Sequence, residues 1–218
     1  MRLAKPADAA PVIAALSASR LSKYYAAKPA ALDALELYAW NAHVSASLMV
    51  PAHFAEVVTR NAVSDALTAI YGPRWPWDRG FELSLPNPYP PAYNPRRDLA
   101  QVRSKHQTTG KVIADLKFVF WQKMFTARHD TRVWGAQILT LFPNTTEVDP
   151  KKLRARIYDD LEHIRGLRNR IAHHEPILTR NLPDDVDRML ELIKLRCTVT
   201  RDWVDQLEEA IYAIAARP

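Results

Sequence analysis

Apolar residues recur at intervals of three and four along most of this chain, which is the spacing of one face of an α-helix. The period is clear over residues 32–42 and again over residues 54–70. Between these stretches, Pro51 is expected to break or kink the chain, and Gly72 followed by Pro73 is expected to end the second helix. The pattern therefore predicts an N-terminal helical lobe over residues 1–72.

A segment rich in proline and aromatic residues follows, over residues 73–98. Seven of the 16 prolines lie between Pro73 and Pro95, interleaved with Trp75, Trp77, Phe81, Tyr89 and Tyr93. So many prolines exclude a long helix, and the aromatic content argues against a free linker, which is normally polar. We expect an extended segment packed over a helical surface, with a polyproline partner site as the alternative.

Helical spacing resumes over residues 99–218. Asp149 and Pro150 are typical of an N-cap followed by proline at the first helical position, and they predict the start of a helix that carries apolar residues as far as Ile171. A last helix is expected over residues 184–215, weakened near Thr198. Its predicted apolar positions are Val186, Met189, Leu190, Ile193, Trp203, Val204, Leu207, Ile211 and Ile214. Little of the sequence has a pattern typical of strands. The predicted fold class is therefore all-α, in a single unit over residues 1–218.

Composition narrows the class of protein. With 48% apolar and 25% charged residues among 218, the chain matches a globular protein and excludes wholesale disorder and collagen-like repeats. The single cysteine, Cys197, excludes an internal disulfide and a cysteine-based zinc site. The sequence has no run of 18 apolar residues, which a membrane span needs, and no apolar N-terminal stretch, which a signal peptide needs. We therefore expect a cytoplasmic protein without a membrane partner.

The balance of 30 Lys and Arg against 24 Asp and Glu favours an anionic polymer as partner without requiring one. A basic cluster in the middle of the chain could follow an RNA backbone, and a solvated face is the alternative. The cluster consists of Arg96, Arg97, Arg103, Lys105 and Lys111.

The densest group of reactive side chains lies between residues 162 and 175. On a helical wheel, the apolar face of this helix is opposed by a polar stripe of Tyr158, Glu162, Arg165, Asn169 and His173. Asn169 precedes His173 by one turn, so its amide can hydrogen-bond the imidazole and select its tautomer.

Arg168 projects only about 40° from the centre of the apolar face. Such a guanidinium needs acceptors, so either the helix is distorted near His173 or Arg168 enters a groove between helices or subunits. Histidine can transfer a proton, and arginine can neutralise charge on a phosphoryl group. Both functions serve cleavage of RNA by its own 2′-hydroxyl, which yields a 2′,3′-cyclic phosphate and a 5′-hydroxyl without a metal or other cofactor.

The motif Arg168-Asn169-x-x-x-His173 resembles the R-x(4–6)-H motif of HEPN-domain ribonucleases. The wider string from Leu167 to His174 resembles the L-R-N-x-x-A-H-H block of their Abi-like branch, the AbiD/AbiF-type abortive infection proteins of bacterial phage defence. Weaker similarity extends upstream, to the E-x-x-x-R-N pattern beginning at Glu56 and to the Phe-x-x-x-Gln pattern beginning at residue 118.

The resemblance implies an all-α HEPN bundle that acts as a metal-independent endoribonuclease, a toxin-like effector with a possible antitoxin partner. It also implies a homodimer in which two motifs face each other, so that Arg168 meets a phosphate contacted by His173 of the partner subunit. Arg168 and His173 would be catalytic; the supporting residues would be Asn169, His174, Glu162, Arg165 and Tyr158. The alternative is an inactive HEPN scaffold that binds RNA or a nucleotide, or serves dimerisation.

Structural interpretations compete for several of these residues. Adjacent histidines on a helix point about 100° apart, so His173 and His174 are not expected to share a metal ion, and His174 is expected to cap or hydrogen-bond backbone. Glu56 and Arg60 are expected to form a stabilising pair within their helix, while Asn61 falls on its apolar face and needs a partner. The aromatic residues of the 118–125 stretch are expected to form core rather than a base-stacking platform.

Overall fold

The computed structural model describes residues 5–218, and these contain helices but no strand, which confirms the predicted all-α fold. The α-helices are α1 (Ala9–Leu16), α2 (Ala18–Ala27), α3 (Ala31–Tyr71), α4 (Arg79–Ser84), α5 (Pro95–Arg103), α6 (Thr109–Asp115), α7 (Phe118–Met124), α8 (Ile138–Leu141), α9 (Pro150–Ala172), α10 (Leu182–Arg196), α11 (Thr198–Leu207) and α12 (Ala210–Ala215). Short 3₁₀ turns at Trp75–Trp77 and Ala127–His129 and a π-turn at Asp130–Trp134 lie between them. Across residues 5–218, no helix is both long enough and apolar enough to cross a membrane.

The long helix α3 is the centre of the fold and contacts α2, α7, α9, α10, α11 and α12. It continues through Pro51, so of the predicted break or kink at this residue the break does not occur. A proline inside a helix removes one backbone hydrogen bond and costs about 3 kcal/mol. Buried side chains on both sides, including Leu48 and Ala55, hold the helix against its neighbours and offset that cost. The predicted stop is confirmed, because α3 ends at Tyr71 and Gly72 takes a φ of 80°.

The proline-rich segment contains no long helix, as predicted, but it begins with a 3₁₀ turn and the short helix α4. Trp75 and Phe81 are buried, and Trp75 Nε1 donates a hydrogen bond to Ser64 Oγ at 3.2 Å. Tyr89, in contrast, is 90% exposed. The segment therefore packs on the helical core at its start and lies open in its middle.

The predicted last helix is three helices, α10, α11 and α12. Breaks at Cys197 and Glu208 reset the helical phase, and the Glu208 carboxylate accepts a hydrogen bond from Ala210 N at 2.7 Å, which caps α12. Consequently Trp203, which the single-helix pattern places in the core, is 53% exposed. Leu207 and Ile211 are exposed for the same reason, so the prediction is wrong at these positions.

Candidate ribonuclease site

Helix α9 carries the residues of the polar stripe, and its start is as predicted. Asp149 Oδ1 accepts hydrogen bonds from the backbone of the first turn, at 2.8 Å from Lys151 N, and Pro150 occupies the first helical position. Buried apolar residues hold α9 against the core: Leu153, Ile157, Leu161, Ile164 and Leu167.

Two neighbouring helices, α3 and α7, run antiparallel to α9, and the place where Arg168 meets Glu56 and Phe118 is called the Arg168 groove. Glu56 of α3 lies opposite Arg168 of α9. Fifteen residues before Glu56, the Asn41 side chain accepts a hydrogen bond at 2.8 Å from the backbone N–H of Ile177, which follows α9 in the chain. At the start of α7, Phe118 contacts Arg168 near the end of α9, and at the end of α7, Lys123 contacts Tyr158 in the first half of α9. The C-terminal half of α9 is therefore enclosed by α3 on one side and α7 on the other.

Arg168 enters this groove. Its Nη2 lies 3.1 Å from Glu56 Oε2, and its guanidinium carbon lies 5.1 Å from the centre of the Phe118 ring, a cation–π contact. The side chains of Arg168 and Glu56 are 30% and 17% exposed. Of the three explanations for Arg168 that the sequence allows, these contacts agree with a position between helices of the same chain. Within residues 5–218, Arg168 Nε is buried and has no hydrogen-bond partner, so this one donor of the guanidinium is unsatisfied.

The first half of the polar stripe is bound by α7. Lys123 Nζ donates to the Tyr158 hydroxyl at 3.0 Å, and Glu162 accepts hydrogen bonds from Gln122 and from Arg165. Burial raises the pKa of the Glu162 carboxyl, but these hydrogen bonds and the nearby cations lower it by a larger amount. The pKa therefore lies below its ordinary value. Glu162 is therefore an ionised carboxylate that orients Arg165 beside the groove.

The second half of the stripe, Asn169 and His173, is exposed at the end of α9. His173 is the C-cap residue, and its backbone N–H donates to Asn169 O at 3.0 Å. The expected side-chain hydrogen bond between the Asn169 amide and the His173 imidazole does not occur in the described part of the chain. Both polar side chains are therefore open to a ligand.

A Schellman turn ends α9. Glu175 N donates to Arg170 O at 2.8 Å, His174 N donates to Ile171 O at 3.0 Å, and His174 takes a left-handed φ of 54°. His174 thus caps the helix through its backbone, in agreement with the structural interpretation of the sequence. Arg20 on α2 donates to the His174 carbonyl at 2.8 Å. Sequence reasoning missed Arg20, because no local pattern links it to a residue so distant in the chain.

In the upstream E-x-x-x-R-N pattern, Glu56 is the residue that contacts Arg168. The expected Glu56–Arg60 pair does not form among residues 5–218; the Glu56 carboxylate binds Arg168 instead. Arg60 is half-buried and its Nε lacks a partner in that range. Asn61 is exposed, so its predicted place on the buried face of α3 is wrong. The buried residues after it, Ala62 and Val63, show that α3 turns a different face to the core.

The predicted basic cluster is not a continuous cationic surface. Arg96 Nη2 donates to Leu83 O at 2.8 Å, and Arg103 binds Glu82 at 2.7 Å. These two arginines fasten the proline-rich segment to α5 through a backbone carbonyl at the end of α4 and the Glu82 carboxylate. Arg97, Lys105 and Lys111 remain exposed.

The described residues include no group of three or more His, Cys, Asp or Glu side chains placed to hold a metal ion. Comparisons of this chain with protein-family models, with curated proteins and with solved structures gave no match.

Proposed function

We propose that this protein is a metal-independent endoribonuclease of the HEPN type, in the Abi-like branch. One observation carries the proposal: the Glu56 carboxylate meets the Arg168 guanidinium at 3.1 Å. Glu56 and Arg168 belong to two separate sequence segments that resemble HEPN motifs. Their contact supports the view that the segments build one site.

The chemistry divides between two side chains. The 2′-oxygen of a ribose attacks the adjacent phosphorus, the bond from phosphorus to the 5′-oxygen breaks, and the products are a 2′,3′-cyclic phosphate and a 5′-hydroxyl. His173 takes the proton of the 2′-hydroxyl while water protonates the leaving 5′-oxygen, or His173 supplies that proton while water accepts the one from the 2′-hydroxyl. Arg168 binds the phosphate and stabilises the charge that develops on its oxygens.

The neighbouring residues have positioning roles in this proposal. Glu56 and Phe118 hold the Arg168 guanidinium in place, which lowers the entropy lost when a phosphate binds. Asn169 and His174 lie next to His173 at the open end of α9, and Glu162, Arg165 and Tyr158 support the wall formed by α7.

A homodimer completes the proposed site. Arg168 enters the groove while His173 is exposed at the end of α9, which supports a phosphate held between Arg168 of one subunit and His173 of the other. Mixing Arg168→Ala with His173→Ala subunits tests this arrangement. Mixed dimers with one intact composite site should regain activity, and activity no higher than that of either variant alone would reject the sharing. A role as a toxin-like effector of phage defence in the cytoplasm, with an antitoxin partner, rests on the resemblance.

A second candidate function is a non-catalytic HEPN scaffold that binds RNA or a nucleotide. The observation in its favour is the same ion pair, since Glu56 already occupies Arg168 and competes with an incoming phosphate.

Incubation of the purified protein with total RNA in EDTA separates the two functions. We expect cleavage by the wild type, loss of cleavage in His173→Ala, and retention in the control His163→Ala, which replaces an exposed histidine on the same helix. Fragments should end in a 2′,3′-cyclic phosphate. Binding of RNA without cleavage would favour the scaffold, and cleavage only with a divalent ion would reject the mechanism.

A further inference from the structure

A cavity of about 270 Å³ lies outside the Arg168 groove, between α7 and the proline-rich segment. Its walls are mostly apolar and include Leu85, Phe120 and Met124, each no more than 1% exposed. At this volume the cavity is close to the lower end of ligand pockets, which occupy about 300–1,000 Å³. It can therefore admit one flat apolar group rather than an extended chain.

His129 is the most deeply buried of the polar residues that line this cavity. It is 4% exposed, and in the part of the chain that the structure describes its ring has no hydrogen-bond partner. Burial, and then the positive charges of Arg128 and Arg132, lower the pKa of His129 to about 4, against a weaker opposing effect of Asp130. Near neutral pH the ring is therefore uncharged, with one donor and one acceptor. The His129 ring nitrogens are not among the fully buried side-chain atoms that lack a partner within residues 5–218, so they face the open space of the cavity and can hydrogen-bond the polar edge of a ligand.

Two cations line the same cavity. Arg128 is exposed, and among residues 5–218 its guanidinium forms no ion pair. Lys123 is half-buried and holds its ammonium on the Tyr158 hydroxyl at 3.0 Å. A matching ligand combines a flat apolar body, a hydrogen-bonding edge and an anionic group.

We propose that this cavity binds one nucleotide of RNA, with the base against the apolar wall that includes Phe120 and Met124, its polar edge on His129, and its phosphate at Arg128 and Lys123. The inference rests on the proposed function, because it takes RNA as the ligand. Lys123 lies five residues after Phe118, so the cavity is displaced by about 7.5 Å along α7 from the ring that touches Arg168. Around α7, Phe120 and Met124 project about 160° and 120° from Phe118, so the cavity opens on a different face of the helix and holds its nucleotide apart from the cleaved bond.

Calorimetric titration with 5′-AMP, 5′-GMP, 5′-CMP and 5′-UMP tests the proposal, with inorganic phosphate and the four nucleosides as separate arms. The test variant is Arg128→Glu, an exposed substitution at the cavity. The matched control is Arg132→Glu, which makes the same change of charge four residues away without lining the cavity. His129→Phe removes the polar edge while keeping a flat ring.

We expect at least one nucleotide to bind about tenfold more tightly than phosphate or its nucleoside. Arg128→Glu should weaken binding by about tenfold, and Arg132→Glu by less than about threefold. His129→Phe should reduce the preference for one base over another. Equal binding of phosphate and nucleotides, or equal loss in the two arginine variants, would overturn the proposal, as would the absence of nucleotide binding.

RNA cleavage in EDTA, measured on the same preparations, keeps the two proposals separable. Nucleotide binding without cleavage would remove the ribonuclease function and leave the cavity site standing. Cleavage by the wild type without nucleotide binding would remove the cavity site alone.

Discussion

Acid should destabilise this protein through one buried histidine, His129. Its ring is uncharged in the folded protein, where burial and two flanking arginines lower its pKa from 6.5 to about 4. In the unfolded chain the ring takes up a proton at the ordinary pKa. Between these two values the unfolded state binds more protons than the folded state, so the free energy of unfolding falls as the pH falls through this window. The contribution is fully present above pH 6.5 and is lost below about pH 4.

The magnitude follows from the shift. Each pKa unit corresponds to about 1.4 kcal/mol, so the full loss is about 3 kcal/mol. About 2 kcal/mol of it should be lost between pH 6.5 and about pH 5. This is a large part of the total stability of an ordinary domain, which is about 5–15 kcal/mol.

The assay is urea denaturation followed by tryptophan fluorescence at about pH 7, 6 and 5, on the wild type and on His129→Gln, whose amide does not titrate. The difference in unfolding free energy between the two proteins should change by about 2 kcal/mol over this range, in favour of the variant at acid pH. Thr126→Val serves as the control, because it removes the Thr126 hydrogen bond to Lys123 O without removing a titratable group. Its stability should differ from that of the wild type by the same amount at every pH. An equal pH slope in His129→Gln and the wild type would refute the reasoning.

Three further predictions concern other contacts. A double-mutant cycle with Glu56→Gln and Arg168→Met should give a coupling energy of about 1 kcal/mol by chemical denaturation, because the pair is partly buried; additive effects would contradict the ion pair. At His174, which takes a left-handed φ of 54°, Gly should leave the melting temperature nearly unchanged while Val lowers stability by about 1–2 kcal/mol; equal effects would argue against the Schellman turn. Glu208→Ala should cost about 1 kcal/mol in thermal unfolding through loss of the α12 cap, whereas the exposed neighbour Glu209→Ala should cost little; equal losses would argue against the cap.

Much of the secondary structure could be predicted, because the signals are local. The period of the apolar residues indicated helices, and the Asp149 cap and the Gly72 stop gave two helix ends correctly. The errors have equally definite causes. Pro51 remains helical because the packing of α3 outweighs one lost hydrogen bond, and Trp203 is exposed because caps at Cys197 and Glu208 divide one apparent helix. The local pattern did indicate the weak point near Thr198, but it contained neither the packing of α3 around Pro51 nor the break at Glu208.

The candidate site shows the same division. From the sequence, Arg168 needed an acceptor, but its wheel angle left a distorted helix, a groove between helices and a groove between subunits open. The structure shows Glu56 as the ion-pair partner of Arg168 and Phe118 as the ring in its cation–π contact. An ion pair between Glu56 and Arg60 is the expectation for an isolated helix. In the folded chain, α9 brings the guanidinium of Arg168 to the same carboxylate.

By itself, the sequence determined the all-α class, the start of α9 and the group of polar residues along that helix. These depend on interactions within a few turns, where spacing along the chain fixes which side chains meet. Only the tertiary structure decided that Glu56 binds Arg168, that Arg96 and Arg103 hold the proline-rich segment, and that His129 is buried in a cavity. These outcomes depend on which helices pack together, and packing is settled by the burial of the whole core rather than by any one segment.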